Sequence, residues 1–66
     1  MAHMQISIRE TDSRRYIGCE WMNGCLHMHA DIHNWFDVQR AQQIADGLGL
    51  DLHITDEARA ELGPQS

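Results

Sequence analysis

The chain is expected to fold as an α+β domain. Its elements run β-β-β-α-β-α and build a small antiparallel/mixed four-stranded sheet of order 3-2-1-4, with one main helix packed on one face and a short C-terminal helix. Three observations predict this. Gln5–Arg9, Tyr16–Met22 and Cys25–His33 alternate apolar with polar residues, the pattern of half-buried strands. Asn23-Gly24 stands between the second and third of these, and that dipeptide suits a tight hairpin because both central residues need positive φ. From Trp35 onward the apolar spacing lengthens to that of a helix.

In the first strand, Ile6 and Ile8 share a face, and the polar run Glu10–Ser13 supplies a turn. Closing that turn at Asp12-Ser13 places Ile8 opposite Ile17 and Ile6 opposite Cys19. A two-residue loop at Asn23-Gly24 would set Trp21 against Leu26, Cys19 against Met28 and Ile17 against Ala30 on one side. Glu20 would then meet His27, Gly18 would meet His29 and Tyr16 would meet Asp31 on the other. Apolar meets apolar in this register, and a one-residue slip would mix the faces.

Asn34 is a favourable N-cap, and Asp37 suits the N-terminal end of the helix dipole. Trp35, Val38, Ala41, Ala45 and Leu48 recur at helical spacing, while Gln39, Arg40, Gln43 and Asp46 fall on the water side. Trp35 and Phe36 are about 100° apart on that helix, so one of them stays partly exposed. Gly49 suits a left-handed C-terminal stop. Leu50–Thr55 alternates again and reads as the fourth strand. Thr55 caps a last helix, Asp56–Leu62, which Gly63-Pro64 ends. The crossover from third to fourth strand makes those two parallel, and pairing the fourth beside the first puts Gln5–Arg9 in the centre. This element order resembles the first half of a ribonuclease-H-like sheet, as in small antitoxin domains; the likeness covers element order only.

Sixty-six residues make one domain. Residues 1–3 read as a cloning remnant, 4–62 as the domain and 63–66 as a tail. No apolar run approaches the roughly 18 residues of a membrane span, no signal-peptide pattern is present, and a cytoplasmic location is expected. Ten acids face five arginines and no lysine, for a net charge of −5. Residues 1–30 balance at three of each sign, so the excess lies in residues 31–66. Such a chain is a poor duplex binder, with Arg9, Arg14 and Arg15 its only basic spot.

Cys25, His27, His29, Asp31 and His33 fall on alternate positions, so the third strand carries a polar row. An antiparallel sheet with one wet face accounts for such a row without chemistry. His27 and His29, with Asp31 or Cys25, also have the donor set of a zinc or other transition-metal site. HMHADIH is similar to the His-x-His-x-Asp-His motif of metallo-β-lactamase-type hydrolases, but Ile32 is inserted before the last histidine and that fold is several times longer. His33 sits at the strand end, before the helix. Cys25 with His27, or Glu20 with His27, could act as nucleophile and base, yet a flat open face lacks the enclosing cleft such chemistry uses. No catalytic residue is assigned. Cys19 points inward and Cys25 outward, so no disulfide is expected.

The expected function is therefore non-enzymatic. The chain reads as a small acidic protein-binding module, an inhibitor that occupies a basic, nucleic-acid-binding surface of a partner protein. Phage-encoded anti-CRISPR proteins are similar in size and charge, and no motif carries that likeness. Asp51, Asp56, Glu57 and Glu61 would supply charge, with Glu20, His27 and Met22 making an open-face contact. The alternatives are a transition-metal binder built on His27, His29 and Asp31, or a homodimer through the histidine face or a strand edge.

Overall fold

The computed structural model describes residues 3–23 and 26–64, and for 22, 23 and 26–29 the backbone alone. Six elements follow in the expected order: β1 (His3–Glu10), β2 (Arg15–Asn23), β3 (Leu26–Ile32), α1 (Trp35–Leu48), β4 (Leu52–Ile54) and α2 (Asp56–Leu62). The sheet order is β3-β2-β1-β4, with β2 antiparallel to its two neighbours and β4 parallel to β1. β1 therefore holds the central place expected of it. It begins at His3, opposite Met22, so the strand takes in a residue that the sequence reading set aside.

The β1–β2 hairpin forms because Thr11 organises its tip. The Thr11 N–H donates to the Arg14 carbonyl at 2.8 Å, and its Oγ1 accepts from the amides of Ser13 and Arg14 at 3.3 and 3.2 Å. Hydroxyls commonly stabilise turns in this way. Ile8 lies opposite Ile17 and Ile6 opposite Cys19, as the alternation requires.

The second hairpin differs from the expected register by two residues. Ile17 pairs with Ile32, Gly18 with Asp31, Cys19 with Ala30, Glu20 with His29 and Trp21 with Met28. The ladder reaches Asn23 opposite Leu26, which moves the connection to residues 24–25, outside the described set. A shift of two preserves every face, so the alternation could not distinguish the registers. The observed one sets Ile32 against Ile17 and leaves Ile32 buried; the expected one would have spent that position on Ala30.

Helix α1 starts and stops as its sequence dictates. Asn34 Oδ1 accepts from the Asp37 N–H at 3.0 Å, and Asp37 Oδ2 accepts from the His33 N–H at 2.8 Å, a reciprocal cap. Gly49, at φ 70°, closes the helix in the left-handed region. Thr55 caps α2 through the Ala58 N–H. Past α2, the Gly63 N–H turns back to the Arg59 and Ala60 carbonyls.

The core lies between the helices and one sheet face: Met4, Ile6, Cys19 and Ile32 from the strands, with Val38, Ala41, Ala45 and Ala58 from the helices. Ile6 is the largest fully buried side chain, and alanines at the helix contacts let α1 and α2 approach the sheet closely. Trp35 is half-buried against this core, and its indole N–H donates to the Gly63 carbonyl at 2.9 Å, which fastens the end of α2 to the start of α1. Phe36 is the exposed aromatic, at 65%. Leu48 departs from expectation and is 51% exposed. Position 48 lies no farther from the Ala41–Ala45 line than the buried Val38 does, so its exposure follows from its place as the last residue of α1, at the helix's end.

Replacing Ile6 with Ala should cost about 3 kcal/mol. A chain of this size holds about 3–10 kcal/mol in all. The urea midpoint should therefore fall steeply with an unchanged slope; a loss under about 1 kcal/mol would mean that β1 is not the centre of the core.

Candidate functional site

The uncovered sheet face receives every second residue of each strand: Gln5, Ser7 and Arg9 from β1, Tyr16, Gly18 and Glu20 from β2, Asp31 from β3 and His53 from β4. Gly18 is buried at its middle because neighbouring side chains lie down across it. A Cβ there would sit 3.0 Å from Arg9 Cγ and 3.2 Å from Tyr16 Cε2. Glycine thus leaves a trough through which Arg9 reaches its ion-pair partner Glu20. Arg14 bonds Asp31 Oδ2 at 2.8 Å and stacks 4.3 Å from the centre of the Tyr16 ring. On the helix side, Arg15 pairs with Glu61 at 2.5 Å. All three N-terminal arginines are engaged with acids of this chain, so the basic spot is neutralised from within.

The residues expected to meet a partner divide into two sets. Asp51, Asp56 and Glu57 are exposed at the β4–α2 edge and make no ion pair among the described residues. Glu61 and Glu20 are instead held by Arg15 and Arg9. The register puts His29, not His27, opposite Glu20, and puts His27 opposite Met22. The side chains of Met22, His27 and His29, and all of Cys25, lie outside the described residues. Of the proposed metal ligands only Asp31 is described, and it is occupied by Arg14. No group of three metal-ligating side chains occurs among the described residues. The His33 amide is used in the cap of α1.

On the helix side lies a groove that the side-chain alternation does not signal. It measures about 320 Å³ and is lined chiefly by Met4, Cys19, Trp21, Ala30, Ala41 and Ile44. Ala30 and Ile44 are exposed there although apolar. The Trp21 indole N–H is buried without an acceptor among the described residues. The groove exists because Ala30 and Ala41 are too small to close the space between β3 and α1. Two facing alanines were the only signal for it in the sequence. No helix among the described residues is long and apolar enough to cross a membrane.

Burial pushes the Cys19 thiol up from its ordinary value. The folded state then favours the protonated thiol, a contribution held below the unfolded thiol pKa of about 8.5 and lost as pH rises above it. In a Cys25→Ser background, a disulfide reagent at pH 8 should label Cys19 only as fast as the chain opens, and at once in denaturing urea. Rapid labelling of the native protein would show the thiol to be open to the groove.

Compared with protein-family models, with curated proteins and with solved structures, this chain matches none of them.

Proposed function

We propose that this chain is a non-enzymatic protein-interaction module whose acidic β4–α2 edge docks on a basic protein surface. One observation carries the reading. Three of the five arginines are consumed internally, whereas Asp51, Asp56 and Glu57 stand exposed around β4 and make no ion pair among the described residues. Three exposed acids thereby stand together at one edge of the fold.

The backbone supports the same edge. β4 bonds inward to β1, where Met4 N–H donates to the Asp51 carbonyl at 3.2 Å and Thr55 N–H to the Ile6 carbonyl at 3.0 Å. Strand geometry then turns the amides and carbonyls of Leu52 and Ile54 outward. Asp51 and Asp56 bracket this stretch, roughly 15 Å apart by strand rise. Complementary charge of this kind steers association and fixes orientation more than it adds affinity. A basic surface of matching chemistry ordinarily serves nucleic acid, so covering it would inhibit the partner.

The test is capture of host proteins on the immobilised chain, alongside an Asp51→Asn, Asp56→Asn, Glu57→Gln variant. A basic partner should be retained at low salt, released as salt rises toward 1 M, and lost on the variant. A partner held equally by both chains, or held unchanged at high salt, would refute the acidic edge as its docking site.

A further inference from the structure

The other edge of the sheet points to a second contact. Thr11 and Arg14 form a bonded pair across the first hairpin, and bonded pairs recur at every second residue of an antiparallel ladder. Tyr16, Gly18 and Glu20 therefore turn their backbone groups toward β1, and Ile17, Cys19 and Trp21 turn theirs toward β3. Carried across the β2–β3 register, Met28, Ala30 and Ile32 bond inward, while His27, His29 and Asp31 present amide and carbonyl at the open edge.

We propose that this edge pairs with β3 of a second copy of the chain, antiparallel about a two-fold axis through His29. Centring the pairing there uses the whole of Leu26–Ile32, and it sets outward-facing positions against outward-facing positions, as a bonded ladder requires. Leu26 then falls opposite Ile32 of the second copy, His27 opposite Asp31, Met28 opposite Ala30, and His29 opposite its own copy. Apolar positions meet on the helix side, and on the open face position 27 stands opposite that of Asp31, whose carboxylate also holds Arg14. In its own reversed copy the strand meets apolar positions with apolar ones and an acid with an imidazole position, never like charge with like, which suits an isologous contact.

The groove lies beside this edge. Ala30 lines its floor from β3, and Ile44, 56% exposed, overhangs it from α1. A second sheet continuing past β3 would cover apolar surface that one copy leaves wet. Pairing β3 with β4 of another copy fits less well. β4 offers three residues and is bracketed by acids, so Asp31 would approach like charge, and a head-to-tail contact would extend into a filament.

Sedimentation equilibrium of the full chain, from about 10 µM to about 1 mM, tests the proposal. A monomer–dimer equilibrium is expected. His27→Asp, which sets acid against Asp31 twice per dimer, should weaken it roughly tenfold. His29→Pro, which deletes an outward amide and leaves the bonds to β2 in place, should give a monomer with native circular dichroism. His53→Asp, on the opposite edge, should change nothing. A chain that stays monomeric at the highest concentration, or a dimer indifferent to His27→Asp, overturns the proposal; the second result decides it even if the proline variant does not fold.

Discussion

β1 is hydrogen-bonded on both of its edges, and the rest of the molecule is arranged around that fact. A strand in this position has one face for burial, and over Met4–Ile6 its backbone is paired on both sides. Ile6 occupies the middle of that face and is wholly enclosed. β2 returns antiparallel through a hydroxyl-organised turn, and β4 arrives parallel because a helix must carry the chain back over the sheet. The two helices then bring alanines, not bulky side chains, to the core, and the molecule stays thin, 16 Å across its shortest extent. With so little interior, each enclosed aliphatic group bears a large share of stability.

Side-chain alternation made the faces legible, and its period explains where it failed. A one-residue error in pairing would have turned Cys19 and Ile17 outward, so that error was excluded from the outset. A two-residue error leaves them inward, and only the pairing of Ile17 with Ile32 tells the two registers apart. Helix ends were equally legible, since Asn34, Gly49 and Thr55 act through their own neighbouring backbone. The ion pairs were not. Arg14 with Asp31 and Arg15 with Glu61 join residues far apart in the chain, and no local pattern selects one carboxylate over another. The groove was hidden for a related reason: a void is a property of two surfaces, and sequence periodicity describes one at a time.

The sheet's two margins differ in chemistry. β3 offers a seven-residue edge, and β4 offers a three-residue edge flanked by acids that make no ion pair among the described residues. Long bare edges invite uncontrolled pairing, and charge is a common protection against it. Here the short margin has that protection in surplus. In a two-fold assembly the β4 margins would stand at opposite ends of a continuous sheet, and a single particle would present two acidic surfaces facing apart. Bivalency of that kind raises avidity only where a partner also offers two sites at the right span.

The bond from Trp35 to the Gly63 carbonyl has a bearing on binding that its position does not suggest. β4 is too short to hold its place by pairing alone, but it is framed on one side by the close of α1, where the Leu50 N–H reaches the Ala45 carbonyl, and on the other by α2, itself fastened by Trp35. The carboxylates beside it are thus mounted on a rigid frame. Their backbone freedom is already surrendered when the chain folds, so a cationic group docking there would not have to supply the entropy of ordering a loop.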